Sequence, residues 1–103
     1  MLIHRMQDAL LASLDISPNK AYTSVALKMA THELVPLIQP GTELYGIQFS
    51  NQGKIVTFGG GYPLKSGREI IGGIGVSGGS VKDDMIIAEE ALKVFEQERR
   101  DAK

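Results

Sequence analysis

The 103-residue sequence contains no cysteine and no tryptophan. The first absence excludes disulfides, thiolate metal sites and a cysteine nucleophile, and leaves the redox compartment open. Long apolar runs are also missing: none approaches the roughly 18 residues that a membrane-spanning helix needs. The opening MLIHRMQDALL has neither the apolar stretch nor the cleavage site of a signal peptide. The expectation is a soluble, cytoplasmic protein with no membrane partner. Charge of one sign is lacking as well, since 11 Lys and Arg face 12 Asp and Glu for a net charge of −1. That balance removes the basic footprint of a nucleic-acid binder. A chain of this length is a single domain, 1–103, able to bury roughly two-thirds of its unfolded surface. Oligomerisation would help so modest a core.

Glycine is what the sequence has in quantity, and nine of its 12 glycines fall between Gly59 and Gly79. Such a concentration signals positive φ angles or close approach of backbone to another backbone or a ligand. Gly73, Gly75 and Gly78 spell the dinucleotide fingerprint G-x-G-x-x-G. The fingerprint requires a strand before it, a helix after it, and a second parallel strand with an acidic residue near its tip. Here the helix runs to the end of the sequence, and Glu96 and Glu98 lie in its last turns. Close backbone packing is the simpler reading, and NAD, FAD or ATP binding is not expected. In the triple Gly59-Gly60-Gly61, each glycine costs about 0.5–1 kcal/mol relative to alanine unless something requires it.

Along the chain, Met1 to Arg5 reads as a stub of strand and Asp8 to Leu14 as a helical turn. Ser17 and Pro18 form an N-cap and N1 pair that predicts a helix to about Met29, with Ala21, Tyr22, Val25 and Met29 on one face. Thr31 caps a shorter helix limited by Pro36 and Pro40. LYGIQFSNQG is ambiguous between a strand and an irregular turn, whereas Lys54 to Phe58 reads as a strand. Tyr62–Lys65 and Arg68–Val76 flank Ser66-Gly67 as a hairpin, and Pro63 pushes the first arm toward a sheet edge. Ser80 caps the last helix with Asp83 as capping-box partner, and Val81, Met85, Ala88, Leu92 and Phe95 form its apolar stripe. The fold class is α+β with an antiparallel sheet and a terminal helix.

Three stretches, NKAYTSVALKMATHEL (19–34), FGGGYPL (58–64) and GGIGVSGGSVKDDMIIAEEAL (72–92), carry a resemblance that covers essentially the whole chain. Together they resemble the GlcG/HbpS-like haem-binding family, which also supplies the C-terminal domain of PduO-type proteins. The resemblance implies a profilin-like three-layer fold, an antiparallel sheet flanked by helices, assembled into oligomers. It also implies haem as cofactor in some members and links to corrinoid, propanediol or glycolate metabolism. The adenosyltransferase activity of PduO-type proteins belongs to their other domain. Family domains carry an N-terminal helix and first strand ahead of the segment resembling LIHRM, so the expectation is an N-terminally short domain. A sheet edge left open that way would be covered by a second subunit, in a dimer or larger even-numbered assembly.

Only His4 and His32 offer imidazole, the usual axial ligand of haem iron; otherwise the choices are Met, Tyr or an oxygen ligand. His32 sits beside Thr31 at a helix start and is either a first-turn surface histidine or the ligand. Thr31 and Tyr22 are the oxygen alternatives, and His4, on the stub, is the weaker imidazole. Lys20, read as lying in the first turn of its helix, would be compensated by a ligand propionate or phosphate, or by Asp15. Asp83 and Asp84 suit a helix start, and Glu89 with Lys93 an i, i+4 pair. No spacing assigns a catalytic residue. Two functions follow: a binding module for haem or a related tetrapyrrole, or an oligomeric accessory protein of a metabolic operon with no iron ligation of its own.

Overall fold

The computed structural model describes residues 3, 4 and 10–101. The elements are α1 (Ser13–Leu27), α2 (Thr31–Leu34), β1 (Gly61–Ser66), β2 (Glu69–Gly75) and α3 (Val81–Asp101), with short 3-10 turns between α2 and β1. β1 and β2 form an antiparallel hairpin that pairs Gly61 with Gly75, Tyr62 with Ile74 and Pro63 with Gly73. Side chains alternate across a strand. Gly61, Gly73 and Gly75 therefore meet α1, while Tyr62 and Ile74 meet α3. The result is helix on sheet on helix, the three-layer α+β arrangement that was expected.

The glycines set the α1 contact. A methyl group at Gly75 would lie 2.0 Å from the Ser17 carbonyl oxygen, one at Gly73 2.7 Å from that of Ala21, and one at Gly61 2.5 Å from that of Lys20. The helix backbone thus rests directly on the strand backbones. Large apolar side chains have no room there, so the buried residues of α1 are Ser13, Lys20, Thr23 and Ser24. The expected apolar face is corrected accordingly: Tyr22 and Val25 are 38% and 39% exposed. α1 also begins earlier than Ser17. The Leu10, Leu11 and Ala12 carbonyls accept the first amide bonds, and Pro18 lies inside the helix. Ser17 is no cap, because its hydroxyl donates to the Gly75 carbonyl at 2.7 Å. The helix ends at Lys28, in the left-handed region, with a Met29 amide bond to the Ser24 carbonyl that closes a Schellman-type turn.

Lys54 to Phe58 does not form a strand. Its backbone meets a side chain instead: the Thr23 hydroxyl donates to the Asn19 carbonyl at 2.7 Å, accepts the Val56 amide at 2.9 Å and lies 3.2 Å from the Lys54 carbonyl. Ile55 and Val56 are buried by this docking. LYGIQFSNQG resolves into 3-10 turns at Ile47–Phe49 and Asn51–Gly53, with Asn51 and Gln52 at positive φ, which no strand accommodates. Ile3 and His4 are exposed and in no strand; Met1, Leu2 and Arg5, the rest of the expected stub, lie outside the described residues, as do Asp8 and Ala9 of the expected helical turn.

The hairpin turn is Gly67-Arg68, one residue beyond the expected Ser66-Gly67, with Gly67 at φ 64°. A glycine at positive φ in the first turn position matches strand twist. α3 starts as expected, the Ser80 hydroxyl accepting the Asp83 amide at 3.1 Å. Met85, Ala88, Leu92 and Phe95 turn inward, Ala88 with no exposed surface, whereas Val81 remains exposed. Ala30, Tyr62 and Ala88 form the core with Ile74, Val76 and Leu92 around them. No described helix is long and apolar enough to cross a membrane.

Candidate functional site

The site grows from one hydrogen bond. Thr31, fully buried, accepts the Gly61 amide on its hydroxyl at 2.9 Å, which pins the first residue of α2 to the first residue of β1. Thr31 is therefore not the expected cap: Ala30 precedes the helix and Thr31 is its first residue. The next residue on each element is His32 and Tyr62, and their rings meet with centroids 5.6 Å apart at 49°. Tyr62 is buried and donates its hydroxyl to Glu89 Oε1 of α3 at 2.7 Å. Burial raises the Tyr62 pKa above the ordinary phenol range, and the hydrogen bond and charge of Glu89, with the charge of Glu33, push it the same way. The expected Glu89 and Lys93 pair is corrected: Glu89 accepts from Tyr62, and Lys93 bonds Glu90 at 3.3 Å.

The two rings form one wall of an open cleft of about 260 Å³. Met29, Pro63 and Leu92 give it apolar surface, and Lys28 and Lys65 line it together with the carboxylates of Glu33 and Glu96. Nδ1 of His32 is itself buried and has no hydrogen-bond partner. Buried polar atoms are satisfied in the large majority of cases, so an orphan imidazole nitrogen marks a place where something could bind.

A second polar centre lies under the glycine-rich segment. Lys20, with no exposed surface, reaches Asp84 Oδ2 at 3.2 Å and the Val76 carbonyl at 2.6 Å, with its ammonium 4.9 Å from the Phe58 ring centre. Asp84 Oδ1 accepts the Gly79 amide at 3.0 Å. Burial lowers the Lys20 pKa, and Asp84 partly restores it by hydrogen bond and charge. The partner of Lys20 is therefore Asp84 and not Asp15, and Lys20 lies well inside α1 and not in its first turn. A methyl at Gly60 would sit 2.7 Å from the Lys20 ammonium, and one at Gly59 2.6 Å from the Met85 sulfur. Those approaches explain the triple glycine.

Of the five residues singled out in the sequence, only His32 lines the cleft. Lys20 and Thr31 are buried with internal partners, Tyr22 accepts the Asn51 side-chain amide at 2.8 Å, and His4 is exposed. Sequence reasoning missed Tyr62 and Asp84. The available signals were the alternation that turns Tyr62 away from its glycine neighbours and the central place of Asp84 among the motifs.

Residues 1–93 match the family described as haem degrading protein HbpS-like. The chain belongs to the HbpS-like family. It is 50% identical to an uncharacterized 15.0 kDa protein from the dhaT-dhaS intergenic region of Citrobacter freundii, over 94% of this chain and 68% of that protein. It is 57% identical to the corrinoid adenosyltransferase PduO of the same organism, over 85% of this chain but only 26% of PduO. Among solved structures, Klebsiella pneumoniae protein ORFY superposes with a TM-score of 0.91 at 47% identity, over 93% of this chain and 66% of that one. A PduOC complex with haem gives a TM-score of 0.88 at 54% identity, over 90% and 67%. This HbpS-like chain thus spans about two-thirds of these solved chains and about a quarter of PduO.

Proposed function

We propose that the chain is a tetrapyrrole-binding module whose ligand is haem and whose axial donor is His32. The observation that carries this reading is the imidazole of His32 in the wall of a cleft beside the Tyr62 ring, with no hydrogen-bond partner on its Nδ1. Imidazole is a usual haem ligand, and the Tyr62 ring beside it adds aromatic surface to the cleft. Lys28 and Lys65 are placed to meet carboxylates. The haem-bound PduOC structure supports the choice of ligand. The oxygen alternatives are less suited, because the Thr31 and Tyr22 hydroxyls already have partners. Bound haem would contribute iron redox and ligand chemistry; the chain would contribute the donor, the apolar surface of Met29, Pro63 and Leu92, and the cations Lys28 and Lys65. The similarity to a corrinoid adenosyltransferase supports a setting in corrinoid metabolism. Titration with haemin tests the reading: a Soret band should develop with wild type and with His4→Ala and be displaced or lost with His32→Ala. An identical band in His32→Ala removes the ligand assignment.

A specific observation also favours self-association, which an accessory protein without haem would share. On α3, Ile87 and Val94 are 55% and 58% exposed on a face away from Ala88 and Leu92, with Ala91 between them. The occupant proposed for this stripe is a second copy of the chain, in a dimer or a larger even-numbered assembly. The cleft, slightly below the roughly 300–1,000 Å³ of small-molecule pockets, would hold only part of a macrocycle, so a second copy could cover the remainder.

A further inference from the structure

The His32 cleft does not end at Tyr62. Lys65 and Glu96 also line a second cleft of about 200 Å³, which continues to the hairpin tip and is completed by Ser66, Gly67, Arg99 and Arg100. Three cations from two elements converge there against one carboxylate. Cations in the last turn of α3 are favoured by the helix dipole alone. That does not account for Lys65, which comes from β1, nor for the way the guanidinium groups are held. Arg99 donates to the Ser66 hydroxyl across the gap between strand and helix, and Arg100 donates to Gln97 Oε1 at 2.8 Å. Each bond uses only part of a fork that carries five donors.

We infer that this second cleft is a carboxylate-binding site, and that it takes the acidic side chains of the same planar ligand that occupies the His32 cleft. The inference rests on the tetrapyrrole reading and extends it to the class of ligand: a flat apolar ring with carboxylates on one edge. Guanidinium groups match carboxylates two donors at a time, which fixes orientation as well as adding affinity. The two clefts are neighbours that share Lys65 and Glu96 in their walls, so one molecule laid across those side chains would reach both. A ring with a bare or esterified edge would leave the Arg99 and Arg100 cleft unused.

Mesoporphyrin, which has no metal, separates this site from iron ligation. Its diacid and its dimethyl ester are titrated by fluorescence into the full chain as wild type, as the Arg99→Gln/Arg100→Gln double variant and as Lys65→Gln. All three substituted side chains are exposed, so the fold is retained, which circular dichroism verifies. Wild type should prefer the diacid, and the double variant should lose about tenfold in diacid affinity, the scale of one hydrogen bond to a charged group. Ester affinity should not change. Lys65→Gln should lose less in the same direction, and molar phosphate should compete with the diacid alone. With haemin, these variants should keep the wild-type Soret position, whereas His32→Ala should move it. Equal diacid affinity in wild type and double variant overturns the carboxylate site and leaves the haem reading standing. Failure of wild type to bind either porphyrin also overturns the carboxylate site, whereas the haem reading falls only if haemin gives no Soret band with wild type.

Discussion

At Gly75 there is no space for a side chain, and the reason lies in a helix some 55 positions earlier in the chain. A methyl group there would overlap the Ser17 carbonyl. Gly75→Val should therefore force α1 off the hairpin and cost about 3 kcal/mol or more, the upper range for overpacking. Urea denaturation measures it; a variant as stable as wild type would refute the packing. That these glycines serve close approach was legible from their density. That the partner is α1 was not, because nothing local in either segment specifies a contact so distant in sequence. Tyr62 gives a second residue-scale prediction. Its pKa is raised on folding, so between the ordinary tyrosine value of about 10 and the raised value the unfolded chain binds fewer protons. Stability should fall as pH rises through that window, and Tyr62→Phe should remove this part of the fall. Absorbance of phenolate should show a late-titrating group that disappears in the same variant. Lys20 acts in the opposite sense: its pKa is lowered on folding, so the unfolded chain binds more protons and stability rises with pH between the lowered and ordinary lysine values.

Among the elements, α3 and the hairpin were the most legible. A stripe at helical spacing behind a serine cap, and alternating arms around a glycine turn, are local patterns, and local patterns can be read locally. α1 was misplaced because its buried face is polar. Ser17, Thr23 and Ser24 reach carbonyls and Lys20 an ion pair, so no apolar periodicity marks the side that packs. Lys54 to Phe58 was misread for the converse reason: its composition suits a strand, but its backbone docks on the Thr23 hydroxyl. Thr23→Val keeps the shape and removes that hydroxyl. It should cost about 1–3 kcal/mol, the penalty for stranding the buried Val56 amide, seen as a lower denaturation midpoint. Removing one member of the Lys20 and Asp84 pair should cost more, about 3–5 kcal/mol, because the other charge stays buried. Asp84→Ala tests it by the same measurement.

For the whole molecule, the three-layer arrangement brings α2, β1 and α3 together at His32, Tyr62 and Glu89, residues far apart in the chain. His32 was legible as one of two histidines within a family-like motif. Its setting was not, since it depends on Thr31 pinning α2 to β1. The exposed stripe on α3 predicts association: Ile87→Glu with Val94→Glu should lower the mass measured by light scattering at micromolar concentration without loss of helix. An unchanged assembly would exclude that face as the contact. The most direct test of His32 as axial donor is rescue of the haemin complex of His32→Gly by free imidazole. Absorption spectroscopy should show an altered Soret band in the variant and its return to the wild-type position as imidazole is added. A wild-type band before any imidazole is added would contradict the assignment.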